Sequence, residues 1–230
     1  MPATSRLAAD DARCDFADYE ALARPATLAA GEAARGCDRD DRFVFVRRGA
    51  TKLVASASHG REQILGFHFA GDIAPVPGRS HHVYTLVALQ PTLLLIFPAA
   101  DLLEAAQAEP RLSGALLARA LLALGRCREK TITLGRKTAQ ERLADFLLSM
   151  AVRIGTPDAG GLAIDLPMSR RDIADSLGLT IETVSRQLGE LRAAGLIATE
   201  GRSGILIHRP QELARRCGYL REPGADFFQI

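Results

Sequence analysis

Glu182, Ser185 and Arg186 stand at close helical spacing in the run Thr180–Leu191, TIETVSRQLGEL. An arginine fork matches the O6 and N7 acceptors of guanine. A carboxylate accepts from the cytosine amino group, and a short hydroxyl donates or accepts. On a helix that starts after Thr180, the three share one face with Gly189. Ile181, Val184, Leu188 and Leu191 lie opposite, at steps of three and four, as a face to be buried. The polar three sit on the N-terminal half, the end of a recognition helix that meets base edges. Taken alone, Glu182 and Arg186 also suit a solvated ion pair one turn apart, worth about 0.3 kcal/mol.

The elements needed to present that face are written just upstream. Ser169 opens a helix, and Asp172 follows at the spacing of a capping box. Ile173, Ala174 and Leu177 form its apolar stripe. Gly178 ends it, since glycine accepts the left-handed backbone that helix ends often require. Thr180 caps the second helix. Capped helix, glycine turn and apolar register agree on a helix-turn-helix over about 169–192, and on DNA as the ligand.

The segment GLTIETVSRQLGELRAAGLI resembles the recognition segment of the CRP/FNR superfamily of bacterial transcription regulators. Its E-x-x-S-R is similar to the FNR and FixK branch, where the cyclic-AMP receptor branch has E-x-x-G-R. Gly60–Asp72, GREQILGFHFAGD, resembles the FNR-type effector domain. The likeness covers most of residues 20–210. It implies an α+β chain: an N-terminal double-stranded β-roll like a cyclic-nucleotide-binding domain, a long dimerisation helix, and a C-terminal winged helix-turn-helix. It also implies a homodimer on a palindrome of TTGAT-like half-sites, with RNA polymerase as a further partner. Glu182, Ser185 and Arg186 are then the base readers. Ser169, Arg170, Thr180, Thr183 and Arg202 are the residues for phosphate contacts.

Composition sets outer bounds. Hydrophobic residues make up 47% and charged residues 24%, ordinary for a soluble globular protein. The net charge is +2, and basic and acidic side chains are equal in number over residues 137–230. Phosphate attraction must therefore come from local arginines and helix N-termini. No signal-peptide pattern is visible near Met1, and Leu86–Ala100 is too short and interrupted to span a membrane. The expectation is a cytoplasmic protein without a membrane partner. Cys14, Cys37, Cys127 and Cys217 are scattered without a C-x-x-C pair, so neither a zinc site nor a disulfide framework is implied.

In chain order, residues 1–14 read as a mobile tail and Phe16–Leu28 as a short helix limited by Pro25. Short strands with glycine turns follow: Phe43–Arg47, Thr51–Ala55, Glu62–Phe69, Tyr84–Ala88 and Thr92–Phe97. They suggest a small barrel or roll within residues 15–100. Residues 101–136 read as one long helix, with Pro110 as a place for a break. Leu117, Ala120, Leu121, Leu124, Cys127, Thr131 and Leu134 form its apolar seam, a coiled-coil pattern that also suits a helix packed on its own domain. Residues 137–211 hold the DNA-binding domain. Its first helix runs to about Ile154, 156–161 is a loop, and Leu162–Leu166 is a strand. Leu196–Thr199 and Ile205–His208 form the wing, with Arg202 at its tip. Gln211–Cys217 reads as a short helix within a tail, 212–230.

The family's sensing chemistries fit this chain poorly. A cyclic-nucleotide pocket needs a short phosphate-binding helix after Gly71-Asp72, and Pro75 and Pro77 oppose one. An iron–sulfur cluster needs four converging thiolates, and only Cys14 lies in the N-terminal tail. His59, His68, His81 and His82 fall in the roll, but the adjacent pair would point to opposite faces of a strand. A cupin-type metalloenzyme needs an H-x-H that the chain lacks. The expectation is a non-enzymatic regulator without a cofactor, FixK-like and open to thiol oxidation at Cys127 or Cys37. Its alternative is an effector-dependent sensor with a small ligand or haem in the roll. The usual fate of cysteine, a small buried hydrophobe, is the other reading of Cys127.

Overall fold

The structure, a computed structural model, describes residues 15–34, 40–78 and 80–219. The chain divides into two compact units, residues 1–128 and 129–230.

Among its described residues, the first unit begins with a 3-10 turn, Phe16–Leu22, capped by Asp15, whose carboxylate accepts from Ala17 N–H. Seven strands follow: β1 (Arg24–Leu28), β2 (Arg42–Arg48), β3 (Ala50–Ser56), β4 (Glu62–Phe69), β5 (Ile73–Val76), β6 (Val83–Ala88) and β7 (Thr92–Pro98). They form two antiparallel sheets, ordered β1-β7-β2-β5 and β4-β3-β6. Alternation along β2 explains the layering. Val44 and Val46 turn inward, joining Leu53, Leu86 and Leu94 between the sheets. Phe45 turns outward onto Phe16, Phe97, Leu102 and Leu112, beneath the helices. This is the roll expected from the strand pattern.

Two expected helices need correction. Phe16–Leu28 is not one helix ending at Pro25: the 3-10 turn stops at Leu22, and Pro25 lies inside β1 opposite Leu95. Because β1 is an edge strand, a residue without an N–H is tolerated there. Residues 101–136 are not one helix either. Helix α1 (Ala99–Ala108) ends before an extended Glu109, and α2 (Pro110–Arg136) starts afresh. Proline suits the first helical position, and it keeps the residue before it out of helical geometry.

In the second unit come α3 (Ala139–Ile154), β8 (Thr156–Asp158), β9 (Gly161–Asp165), α4 (Arg170–Leu177), α5 (Ile181–Ala193), β10 (Ile197–Glu200), β11 (Gly204–Ile207) and α6 (Pro210–Arg215). Leu143, Leu147, Val184, Leu191, Leu196, Ile207 and Leu213 are buried in its core. The stretch expected as a loop, 156–161, supplies strand β8, which pairs with β9 and extends the wing to four strands, β10-β11-β9-β8. No helix among the described residues is long and apolar enough to cross a membrane.

The β2–β3 turn is tight. The Thr92 hydroxyl accepts from Ala50 N–H at 3.2 Å and donates to the Gln90 carbonyl at 2.7 Å. Gly49 lies against it with φ +97°, and an added Cβ would stand 2.4 Å from Thr92 Oγ1. Gly49→Ala is expected to destabilise the protein by about 1–3 kcal/mol through backbone strain and this clash. The check is the urea midpoint, and an unchanged midpoint contradicts the account.

Candidate nucleic-acid interface

The helix-turn-helix is held at each end by the groups its sequence announced. Ser169 Oγ accepts from Asp172 N–H at 3.1 Å, and Asp172 Oδ2 takes Ser169 N–H at 2.9 Å, a complete capping box. Asp172 is buried by this exchange. Gly178 adopts φ 61° and ψ 41°, the left-handed turn, so that Leu179 N–H reaches the Ala174 carbonyl at 3.0 Å. Thr180 caps α5, its Oγ1 accepting from Thr183 N–H at 3.2 Å.

On α5 the buried face consists of Val184, Leu188 and Leu191, joined by Gln187. Ile181 is only half-buried. The other face carries Glu182 and Arg186, both exposed, with Ser185 between them half-buried. Arg186 does not form the ion pair with Glu182 that its spacing allows. It reaches forward to Glu190 at 3.9 Å, with about two thirds of its side chain exposed. Glu182 turns toward the start of its own helix. Its own backbone N–H and the Thr180 hydroxyl hold its carboxyl below the usual range, as expected for an acid at a helix N-terminus. Arg170 Nη1 comes within 3.5 Å of Ser185 Oγ, at the outer limit of a hydrogen bond. Ser169, Arg170 and Thr180 are exposed and Thr183 is half-buried. Arg202 is exposed in the turn between β10 and β11, at the tip of the wing.

Along α2, Leu117, Ala120, Leu121, Leu124, Cys127 and Thr131 are exposed and Leu134 is half-buried. Leu112, Ala115 and Ala118, on the other side, are buried. Cys127 is therefore not the buried hydrophobe of its alternative reading within a single chain. Cys14 and Cys37 lie outside the described residues. Cys217 is fully buried, and burial pushes its thiol up to about 12, so it stays protonated at neutral pH.

The roll's histidines do not converge. His59 sits in a turn with φ 63°, His68 lies in β4 opposite Thr51, and His81 and His82 are exposed ahead of β6. The opposite-faces argument for that adjacent pair therefore does not apply, because neither is in a strand. Among the described residues, no three of His, Cys, Asp and Glu are grouped to hold a metal ion. After Gly71-Asp72 the chain forms β5 where a phosphate-binding helix would begin, with Pro75 opposite Phe43.

A polar cluster that local patterns did not announce lies beside α3. Arg142 donates to the carbonyls of Leu134, Lys137 and Leu177, each at 2.9 Å. Asp145 takes Lys137 Nζ at 2.8 Å and the Thr133 hydroxyl at 3.1 Å, and Tyr219 bonds its other oxygen. Lys137, a cation in the turn between two helices, was the available sequence signal. Its partner Asp145 lies eight positions on, and the aromatic ring over it comes from distant Tyr219.

Removing the cap that starts the helix-turn-helix, Ser169→Ala, is expected to cost about 1 kcal/mol. A shift in the denaturant midpoint at unchanged slope measures this.

Two family models match the chain: a cyclic nucleotide-binding domain over residues 33–109 and a Crp-like helix-turn-helix domain over residues 141–216. The nitrogen fixation regulation protein FixK of Rhizobium meliloti is 37% identical over 180 residues, covering 78% of this chain and 80% of that one. The transcriptional activator protein FnrL of Cereibacter sphaeroides is 34% identical over 193 residues, covering 82% and 75% respectively. The solved structure of FixK2 from Bradyrhizobium japonicum superposes with a TM-score of 0.75 at 33% identity, over 87% of this chain and 100% of that one. With its roll, its capped helix-turn-helix and these relatives, the chain belongs to the FNR/FixK branch of the CRP/FNR superfamily and is a DNA-binding transcription regulator, not an enzyme.

Proposed function

We propose that this regulator acts as a homodimeric activator on a palindrome of TTGAT-like half-sites, reading bases with Glu182, Ser185 and Arg186. The observation that carries this reading is the two-sided burial of α5: Val184, Leu188 and Leu191 are held in the core while Glu182 and Arg186 stand exposed. The Arg186 guanidinium has only a long pair with Glu190 to give up on meeting guanine. Ser169, Arg170, Thr180, Thr183 and the wing's Arg202 contact backbone phosphates and set the register. The name of the relative FnrL, a transcriptional activator protein, supports an activating role, with RNA polymerase as a partner and the cytoplasm as the compartment.

The dimer forms along α2. Leu117 is 60%, Leu121 43% and Leu124 46% exposed in the single chain, at steps of three and four. Such a stripe calls for a partner surface, and two-fold symmetric operators call for two-fold symmetric proteins. Ala120, Cys127, Thr131 and Leu134 continue the seam. No cofactor is invoked. Thiol oxidation at Cys127 is the modulating chemistry this arrangement suits.

Fluorescence anisotropy of the reduced, metal-free protein on the palindrome and on a scrambled duplex tests the core of this reading. Selective binding is expected, and equal affinity for both duplexes overturns the half-site. Arg186→Ala is expected to lose about 1–3 kcal/mol on the palindrome and to relax the preference for guanine. Equal weakening on every duplex contradicts base reading.

The seam has its own test. Mild oxidation is expected to join two chains through Cys127, giving a reducible dimer band that Cys127→Ser abolishes. A monomer by sedimentation, with no such band, overturns the dimer.

A further inference from the structure

The polar cluster beside α3 joins the end of α2 to the helix-turn-helix. Lys137 stands in the short turn between α2, which ends at Arg136, and α3, which begins at Ala139. Its side chain is 6% exposed. A buried ammonium is tolerated only with a counter-charge and full hydrogen bonding. Asp145, one turn into α3, supplies the charge at 2.8 Å and also receives the Thr133 hydroxyl from the last turns of α2. One oxygen of Asp145 is thus shared by Thr133 and Lys137, and the other is left for a donor from elsewhere.

That donor arrives from the segment after the wing. Helix α6 packs Leu213 and Ala214 into the core, and buried Cys217 gives its S–H to the Leu213 carbonyl at 3.4 Å. Gly218 then turns with φ +70°, lying so close to α3 that a Cβ would stand 2.7 Å from Glu141 Oε1. Glu141 is itself tied down by the Thr138 capping box. Passing this point brings Tyr219 over the cluster. Its hydroxyl bonds Asp145 Oδ1, and its ring lies 4.5 Å from Lys137 Nζ. Burial and Asp145 raise the phenol's pKa, so the hydroxyl keeps its proton to donate. Arg142 completes the junction by linking carbonyls at the end of α2, in the turn, and at the end of α4.

We propose that Tyr219 is a positioning residue for DNA binding, a latch that closes the Lys137–Asp145 pair and so fixes how the end of α2 meets the helix-turn-helix. It touches neither base nor phosphate. It acts by keeping two recognition helices at one separation, which a palindrome with a fixed spacer requires. The latch rests on the dimer and palindrome proposed above for its effect on DNA, but not for its effect on the free protein.

The experiment compares full-length wild type with Tyr219→Phe, which keeps the ring and removes the hydroxyl, and with Gly218→Ala, which disturbs the approach of Tyr219 and leaves the Thr133, Lys137 and Asp145 side chains unaltered. Hydrogen–deuterium exchange of the free protein is expected to quicken about fivefold at residues 133–142, the factor set by losing one hydrogen bond of ordinary net strength. Exchange in α5 should stay unchanged. Affinity for the palindrome should fall by up to the same factor of about five, the cost of re-forming an opened latch on binding, with a weaker penalty for lengthening the spacer by one base pair. Unchanged exchange at 133–142, or equal acceleration throughout the unit, overturns the latch. Faster local exchange with unaltered affinity and spacer dependence overturns its positioning role. Wild type that fails to prefer the palindrome overturns the half-site reading instead, and the exchange result then decides the latch.

Discussion

The interface depends on the burial of one side of α5. Val184, Leu188 and Leu191 recur at steps of four and three, and their burial fixes the rotation of the helix about its axis. A helix free to roll would spread Glu182 and Arg186 over many directions. With these leucines and the valine in the core, only one arc of the helix meets solvent. The apolar positions therefore select which polar residues are available for recognition. The stops at Gly178 and Thr180 set where along the axis that arc begins.

The two units use the same physics on different periods. In the roll, a period of two sends Val44 and Val46 into the space between the sheets and Phe45 against the helices. In the second unit, a period of 3.6 divides α5 between core and solvent. The helix α2 carries both outcomes: Leu112, Ala115 and Ala118 are buried, while Leu117, Leu121 and Leu124 are presented outward. One helix thus has an apolar side satisfied within its own chain and another that is not.

Legibility followed range. The capping box of Ser169 and Asp172, the left-handed Gly178 and the Thr180 cap were readable because each is made by residues within five positions of one another. The strand from Glu62 to Phe69 was readable from alternation and flanking turns. The misread Phe16–Leu28 turned on Pro25, whose place in a strand depends on β1 being at an edge. That is a property of the sheet, which no local window contains. The break at Glu109 lay between these cases: Pro110 announced it, but the sequence admitted both a kink and a new helix.

The sequence by itself determined the DNA-binding helices and the face they show, because hydrophobic period, caps and glycine turns are local and act within one or two helical turns. It also determined that the roll would be built of short paired strands. Only the folded structure showed which neighbour Arg186 takes: Glu182 and Glu190 each lie one turn away, and it reaches Glu190 while Glu182 serves its own helix N-terminus. The meeting of Thr133, Lys137, Asp145 and Tyr219 was likewise decided there. Tyr219 and Asp145 lie 74 positions apart, and no periodicity links them. What joins them is the packing of α6 and a positive-φ glycine against α3, under the requirement that a buried lysine be neutralised and fully hydrogen-bonded.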